Sequence, residues 1–421
     1  MSRAVIVFAF VIAVGAAAWW MLRPSSPPRP NLLLITIDTL RADRVGAYGA
    51  PGAATPALDA LAARGVRFDQ THTAVPLTGP SHATILTGQY PPTHGVRGNV
   101  VFTLGDRYPT LATLVKRRGY RTAAFVGAYP VAAAFGFNQG FDTFDEEFHE
   151  SGPLDQGAER RANEVADAAG RWLSSAAPNA PPFFAWLHFY DPHAPYDPPS
   201  PYRERFAGRP YDGEIAFTDA QIGRVLEALR ASGRERDTVV MVLADHGEGL
   251  GDHGEATHAV LTYQSTMRVP FVAAGPGVPA AKTVVARVAT VDVVPTALGL
   301  LGIGDAMGPL DGQDLTTLLL DAPDALRPTI ARPFVMHESE QWGVVAWPWK
   351  LLVRPKDDLS ELYDLAADPA EQADRSSAEP AIARELRARY AQFPEVHLDR
   401  TKAGRQWREA QSRPPRAPAP R

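Results

Sequence analysis

The chain has 421 residues, of which 45% are hydrophobic and 21% charged, so it is long enough for one large core and a smaller unit. Its net charge of -5 provides no basic surplus, which argues against nucleic acid as a partner. It contains no cysteine, which excludes disulfides, zinc–thiolate sites and cysteine nucleophiles.

Residues 1–30 combine an apolar stretch with a proline-rich spacer. The segment Ala4–Leu22 carries no charged residue, and as a helix it would be about 28 Å long, close to the thickness of a bilayer core. It predicts a retained membrane anchor. A signal peptide cleaved near the small residues Ala16 and Ala18 is the alternative. Both interpretations export the rest of the chain, either anchored and facing the periplasm or exterior, or secreted.

From residue 31 onwards, strand and helix patterns alternate. Continuous apolar runs predict strands at 31–38, 121–127, 182–189, 238–245 and 270–275. Start and stop signals predict helices at 55–65, 110–119, 159–173 and 215–233. This alternation indicates a doubly wound, mostly parallel α/β sheet. We assign it to a catalytic domain over residues 31–330.

The pattern changes after residue 330. Short strand-like runs with little helix between them lie at 333–338, 342–347, 349–354 and 361–365. They predict a small antiparallel C-terminal subdomain over 331–400, with one helix around 381–393. Residues 401–421 are rich in proline and poor in apolar side chains, so we expect a disordered tail.

Polar residues follow two of the predicted strands. Asp38 ends the first, and Asp245 and His246 follow the run at 238–245. In open α/β sheets, ligands bind beyond the carboxyl ends of the strands. A single aspartate there more often caps the next helix or turn, but two of them with a histidine favour a metal. Oxygen ligands with one imidazole suit zinc, manganese, magnesium or calcium.

The loop "VPLTGPSHATILTG" supplies a hydroxyl. Pro80 belongs in the first turn of a helix, which puts Thr78 beside the helix N-terminus, where backbone N–H groups and the dipole favour an anion. A hydroxyl on a metal beside an anion is a candidate nucleophile. Ser81 and His82, inside the first turn, are more consistent with structural roles.

The remaining histidines differ in their setting. His188 lies within an apolar strand, where a histidine is more often a satisfied core residue. His193 lies on the following loop and is the better functional candidate. The stretch "GDHGEATHA" adds Asp252, His253 and His258, which we consider as the ligands of a possible second metal.

Seven segments together resemble the sulfatase family of the alkaline phosphatase-like superfamily. They occur in the family's order between about residues 31 and 371: "IDTLRADRVGAYG", "PLTGPSHATILTGQYPPTHGV", "HFYDPHAPYDPP", "ADHGEGLGDHG", "MRVPFVAAGPG", "TVDVVPTALGLLG" and "ELYDLAADPAE". The resemblance implies a divalent metal held by Asp38, Asp245 and His246, with the nucleophile Thr78 as a further ligand. It also implies that His193 and His258 contact the anionic oxygens of the ester.

The chain departs from that family at the nucleophile motif. Sulfatases have Cys or Ser at the first position of C/S-x-P-S-R and oxidise it to formylglycine; here Thr78 begins the motif and His82 replaces its arginine. Thr39 replaces the second of two adjacent aspartates, and His258 stands where a lysine is common. These changes remove positive charge and the aldehyde hydrate. The remaining site residues resemble those of the threonine-nucleophile phosphodiesterases and phosphoethanolamine transferases of the superfamily.

We therefore expect an exported, metal-dependent hydrolase or transferase that prefers phosphate esters to sulfate esters. Its substrate would be a small molecule or an envelope lipid or glycan ester, and it would bind one divalent ion, possibly a second. A sulfatase that works without formylglycine is one alternative. An inactive, membrane-tethered binding protein is another, although a decayed site would be expected to lose buried charges that cost stability.

Overall fold

The computed structural model describes residues 29–149, 159–177, 179–306, 308, 310–319, 332–336, 341–354 and 358–391. The predicted anchor or signal at Ala4–Leu22 and the predicted tail at 401–421 lie outside these residues. Within the described ranges, no helix has both the length and the apolar character needed to cross a membrane.

A large sheet forms the centre of the molecule. Its strands are β1 (Asn31–Ile37), β2 (Val66–His72), β3 (Arg121–Val126), β4 (Thr143–Asp145), β5 (Phe183–Phe189), β6 (Thr238–Ala244), β7 (Arg268–Ala274) and β8 (Lys282–Ala289). They lie in the order β4-β3-β5-β1-β6-β7-β2-β8. All neighbours are parallel except that β7 runs antiparallel to both β6 and β2. The prediction of a mostly parallel α/β sheet is confirmed.

Helices cover both faces of this sheet. Their bounds are α1 (Pro56–Ala63), α2 (Thr78–Thr87), α3 (Pro91–His94), α4 (Leu111–Lys116), α5 (Ala162–Ser174), α6 (Tyr202–Arg205), α7 (Pro210–Ala231), α8 (Gln264–Met267), α9 (Val293–Leu300) and α10 (Thr316–Leu319). Successive residues of β1 belong to opposite cores: Leu32 and Leu34 to one, Leu33 and Ile35 to the other. Burial on both faces explains why β1 is apolar throughout.

A second sheet follows near the C-terminus, as predicted. Its strands β9 (Arg332–Met336), β10 (Gln341–Ala346), β11 (Trp349–Arg354) and β12 (Leu359–Asp364) are antiparallel in the order β12-β11-β10-β9. Helix α11 (Pro380–Tyr390) packs against it through Leu386 and Tyr390. A buried ion pair of 2.7 Å joins Lys350 to Glu371, and Glu371 also accepts a hydrogen bond from the backbone of Gln264. These contacts tie the small sheet to the large domain.

Candidate active site

Asp38 and Asp245 follow directly after β1 and β6. These strands are parallel neighbours, paired in register up to Ile37 and Ala244, so both carboxylates lie at one edge of the sheet. With His246 they are fully buried, and the three residues offer ligand atoms within 4.8 Å of one another. Nε2 of His246 is 3.5 Å from Oδ1 of Asp38 and 3.5 Å from Oδ2 of Asp245.

The atoms at the centre of this group lack hydrogen-bond partners. No described residue satisfies either oxygen of Asp38, Oδ2 of Asp245 or Nε2 of His246. Nδ1 of His246 is 2.9 Å from the carbonyl oxygen of Gly247, which can only accept, so Nδ1 carries the hydrogen and Nε2 a free lone pair. Two buried carboxylates and a bare imidazole nitrogen are a donor set that fits a divalent cation.

The pKa shifts of these three residues also favour a bound cation. Burial, followed by the charges of Asp245 and Glu248, raises the pKa of Asp38 well above its usual value. Burial likewise raises the pKa of Asp245 and lowers the pKa of His246. A nearby positive charge would oppose these rises and favour the ionised form of both carboxylates.

Helix α2 delivers the Thr78 hydroxyl to this group. Thr78 is the first residue of the helix and is 1% exposed. Its side chain interacts with Asp38, whose pKa it lowers. The helix is held in place by Ser81, whose Oγ donates to the carbonyl oxygen of Asp245 over 2.7 Å. Ser81 therefore supports the site from behind, while Thr78 faces its carboxylates.

The start of α2 offers fewer free backbone donors than the sequence led us to expect. The N–H of Gly79 donates to Oδ1 of Asn99 over 2.7 Å, and that of Ser81 to the carbonyl of Leu77 over 3.0 Å. Pro80 has no N–H. Recognition of an anion here therefore depends largely on side chains.

His193 and His258 lie next to His246. The ring centroid of His258 is 4.5 Å from that of His246 and 5.1 Å from that of His193. Nδ1 of His258 is 3.1 Å from Oε1 of the fully buried Glu248, whose Oε2 accepts a hydrogen bond of 2.9 Å from the hydroxyl of Tyr196. The three histidines form one wall of the site, with Glu248 and Tyr196 behind it.

The tautomer of His193 follows from its neighbour. Nδ1 is 2.6 Å from the carbonyl oxygen of Ala194, so it carries a hydrogen. Burial lowers the pKa of His193 to about 4, which makes the ring neutral at pH 7 and leaves Nε2 with a free lone pair. His193 therefore accepts a hydrogen bond in its resting form and donates one from Nε2 only when protonated.

Thr39 and His82 have supporting contacts. Thr39 has a backbone φ of 54°, its hydroxyl donates to the carbonyl of Pro192, and its N–H donates to Oδ1 of Asp245 over 3.3 Å. His82 is fully buried, with Nδ1 2.8 Å from the carbonyl oxygen of Thr78 and 3.4 Å from Oδ2 of Asp245. Both residues orient other members of the site.

Asp252 and His253 do not join His258 in a metal-binding group. Asp252 pairs with Arg41 over 2.8 Å. His253 stacks on Tyr263, with ring centroids 3.6 Å apart, and its Nε2 lies 3.1 Å from the carbonyl oxygen of Ala370. Among the described residues, the acidic and histidine side chains form a single group suited to a metal, Asp38, Asp245 and His246. The structure thus does not assemble the second metal site from the residues considered above.

Three supporting residues were not predicted from the sequence: Asn99, Tyr196 and Glu248. Glu248 follows His246 by two positions, and this proximity was the available signal. Tyr196 lies three positions after His193 on the same loop. Asn99 had no signal in the sequence, because its role is to hold the N–H of Gly79 from a distant loop.

The geometry combines a buried group of residues suited to a cation, a hydroxyl beside that group and histidines on one side of it. A cation with a bound hydroxyl nucleophile is suited to displacement at an anionic ester, where positive charge neutralises the ester oxygens.

Comparison with known proteins also indicates an ester hydrolase. The family model described as Sulfatase matches residues 30–303. The delta 4,5-hexuronate-2-O-sulfatase of Bacteroides thetaiotaomicron is 25% identical over 424 residues, covering 85% of this chain and 85% of that protein. The ulvan-active sulfatase of Formosa agariphila is 26% identical over 397 residues, covering 82% and 77%.

The fold is also shared with solved structures. The phosphonate monoester hydrolase of Agrobacterium radiobacter superposes with a TM-score of 0.73 at 22% identity, over 89% of this chain and 97% of that one. At this identity the similarity establishes the fold alone. The family model, however, spans more than half of the chain, and its members are ester hydrolases. The chain therefore belongs to the sulfatase family.

Proposed function

We propose that this sulfatase-family enzyme is a metal-dependent hydrolase or transferase of phosphate esters, with Thr78 as its nucleophile. The observation that carries the proposal is the Thr78 side chain, which lies close enough to Asp38 to lower the pKa of that carboxyl. It adjoins four buried ligand atoms, both oxygens of Asp38, Oδ2 of Asp245 and Nε2 of His246, that no other described side chain or backbone group satisfies. A threonine hydroxyl is a poor nucleophile unless something lowers its pKa. A cation held by Asp38, Asp245 and His246 would lower the pKa of the Thr78 hydroxyl.

Asp38, Asp245, His246 and Thr78 would hold the divalent ion. When bound, such an ion neutralises ester oxygens and lowers the pKa of a bound hydroxyl. The ring of His246 is already oriented for this role, because Gly247 holds its Nδ1–H and leaves Nε2 bare.

The reaction then needs two displacements at phosphorus. Oγ1 of Thr78 gives up its hydrogen and forms a bond to phosphorus while the bond from phosphorus to the leaving oxygen breaks. The leaving oxygen takes up one proton, which balances the one that Thr78 has lost, and departs as an alcohol. Water or an acceptor alcohol next attacks the phosphothreonine, and the Thr78 oxygen leaves and regains its proton. His193 and His258 contact the ester oxygens, and Glu248 holds the ring of His258 in place.

Sulfate-ester hydrolysis is the second candidate, and the relatives favour it. The curated relatives described above are named as sulfatases of hexuronate and ulvan. We therefore extend the proposed substrate class to small-molecule, glycan or envelope lipid esters. Turnover of matched phosphate and sulfate esters distinguishes the two chemistries.

The first prediction concerns the metal. Full-length protein purified without chelator should contain at least one tightly bound divalent ion per chain, because Asp38, Asp245 and His246 offer buried ligand atoms within 4.8 Å of one another. Elemental analysis by mass spectrometry measures the content, and dialysis against EDTA should abolish ester turnover until metal is restored. An active, fully folded protein free of metal would refute the proposed mechanism.

The second prediction concerns location. The uncharged segment Ala4–Leu22 supports the proposal that the catalytic domain acts on the exported side of a membrane. Full-length protein expressed in a Gram-negative host should sediment with membranes and be cleaved by protease added to intact spheroplasts. Recovery of a soluble form processed near Ala18 would identify a signal peptide instead, and protection from protease would contradict export.

A further inference from the structure

Four neighbouring strands of the large sheet begin side by side, at the edge opposite the candidate active site. Arg121 of β3 pairs with Phe183 of β5. The next strand, β1, is in register with β5 from Leu32 onwards, and Asn31 of β1 pairs with Thr238 of β6. All four strands are parallel, so the connections that enter them lie on one side of the domain.

The same strands carry the candidate active site at their other ends. Asp38 follows β1 and Asp245 follows β6. Near the end of β5, Nε2 of His188 is 3.6 Å from Oδ2 of Asp38. β1 has seven residues, which corresponds to about 23 Å at the usual rise of a strand. The active site therefore lies about that far from the edge where the strands begin.

The connections that enter these strands are rich in basic side chains. They comprise residues 29–30, 116–121, 175–182 and 231–237, which we call the entry edge. Seven of these residues are basic and two are acidic, on a chain whose net charge is -5. The basic residues are Arg29, Lys116, Arg117, Arg118, Arg121, Arg234 and Arg236, and the acidic ones are Glu235 and Asp237. The entry edge is therefore a positive surface on an acidic protein.

Hydrogen bonds join the connections into one surface. Nη1 of Arg29 donates to the carbonyl oxygen of Arg118 over 2.7 Å. Nδ2 of Asn31 donates to the carbonyl oxygen of Asp237 over 3.2 Å. The segment before β1 thus contacts the segments before β3 and β6, and the arginines on both sides of β1 belong to the same surface.

Most of the positive charge at the entry edge is not neutralised within the protein. Two of the seven basic residues form salt bridges with described residues: Lys116 with Asp142 over 2.7 Å and Arg118 with Asp305 over 3.0 Å. Arg117 and Arg236 are exposed, and neither forms a salt bridge with an acidic side chain in the part of the chain that the structure describes. Their guanidinium groups are available to an external anion.

The chain reaches the entry edge directly after the proposed membrane segment. Ala4–Leu22 is uncharged, and only the eight residues 23–30 lie between it and the start of β1. Eight residues span at most about 28 Å when fully extended. A retained anchor would therefore keep the entry edge close to the membrane surface, with the active site on the far side of the sheet.

We propose that the entry edge binds the anionic headgroups of phospholipids, so that the active site opens away from the membrane. This inference rests on the proposed location of the catalytic domain at the exported side of a membrane. Each basic side chain near an anionic bilayer strengthens binding roughly fivefold. The substrate is then a soluble or glycan ester that approaches from the surrounding compartment, and not a lipid of the membrane that the protein binds.

The test measures how close each edge of the sheet comes to lipid. The chain has no cysteine, so one introduced cysteine carries a single fluorescent donor, and an acceptor is attached to a lipid of the vesicles. Ala231→Cys labels an exposed position on the entry edge. Val260→Cys labels a position that is 55% exposed, two residues from His258. Full-length protein is added to vesicles of phosphatidylcholine alone or mixed equally with phosphatidylglycerol.

Energy transfer from residue 231 should be stronger on the anionic vesicles than on the neutral ones, and high salt should remove the difference. Transfer from residue 260 should be several-fold weaker on the same vesicles, because the sheet separates this position from the entry edge. Equal transfer from residue 231 on both kinds of vesicle, or stronger transfer from residue 260, would overturn the proposal.

Charge reversal identifies the arginines responsible. Arg117→Glu combined with Arg236→Glu should weaken contact with the anionic vesicles at least about 30-fold, the loss expected for two basic side chains. Arg205→Glu combined with Arg384→Glu is the matched control, because these arginines are also exposed but lie outside the entry edge, and it should keep the preference for anionic lipid. A preference that survives the first pair, or is lost equally in both, would contradict the assignment to the entry edge.

Ester turnover in the same samples separates this inference from the proposed function. Turnover without any preference for anionic lipid would refute the membrane-facing surface and leave the chemistry intact. A lipid preference without turnover would refute the chemistry and support the surface. If the N-terminal segment is removed by processing, any transfer from residue 231 reports the entry edge alone.

Discussion

Thr78→Ala should lower ester turnover by roughly 10³- to 10⁶-fold, the range expected when a nucleophile is removed from an otherwise intact site. The reason is that, among the described residues at the start of α2, only Thr78 places a hydroxyl beside Asp38. Asp38, Asp245 and His246 remain, so metal should still bind in part. Turnover of a p-nitrophenyl ester and the metal content of the same sample measure both expectations.

Two variants control for the loss of a hydroxyl as such. Ser81→Ala removes a buried hydroxyl that bonds to Asp245 and Thr73, so it should cost about 1–3 kcal/mol of unfolding free energy and leave most activity. Thr78→Ser keeps the nucleophilic oxygen and should retain turnover. Two results would assign the chemistry to another residue: a Thr78→Ala variant that remains active, or a Ser81→Ala variant that loses more turnover than Thr78→Ala does.

The strands that position the site were predictable because burial on both faces makes them apolar throughout. β1 and β6 are fully buried, and each is followed directly by its aspartate. β2 and β8 were missed for the opposite reason: they carry charged and polar residues such as Arg67 and Lys282, and only part of each is buried. β7 was found, but its antiparallel direction depends on pairing with β6 and β2, which no local pattern specifies.

The centre of the site was more predictable than its surroundings. Asp38, Asp245 and His246 meet because parallel strands in register end at the same edge. By contrast, the roles of Glu248 and Tyr196 depend on a hydrogen bond between two loops, in which the Tyr196 hydroxyl donates to Glu248. The arrangement around His188 also needs the structure, because its cross-strand neighbour Thr36 comes from β1.

If Thr78 is the nucleophile, as proposed, the preference between phosphate and sulfate esters depends on the fate of the covalent intermediate. Sulfatases expel sulfate with the second hydroxyl of an aldehyde hydrate, whereas Thr78 has one oxygen, which would itself be bonded to the transferred group. A sulfated threonine would have to be attacked at sulfur or remain trapped. A phosphothreonine can be attacked at phosphorus by water, with the Thr78 oxygen as leaving group.

We therefore expect kcat/KM for aryl phosphate esters to exceed that for the matched aryl sulfate by at least about 100-fold, or about 2.7 kcal/mol of transition-state stabilisation. Bis-p-nitrophenyl phosphate, p-nitrophenyl phosphate and p-nitrophenyl sulfate, measured on one metal-loaded preparation, provide the comparison. Among the phosphates the diester should be the better substrate, since it carries less negative charge toward Asp38, Asp245 and Glu248.

The sulfate reaction contains its own diagnostic. If Thr78 attacks sulfur without a route to release, p-nitrophenyl sulfate should give a burst of at most one p-nitrophenol per site and then stop, and peptide mass spectrometry should find sulfate on Thr78. Thr78→Ala should show no burst. Sustained turnover of the sulfate at a rate above the phosphates, with Thr78 unmodified in the resting protein, would instead establish a sulfatase that works without formylglycine, because release from threonine would then be faster at sulfur than at phosphorus.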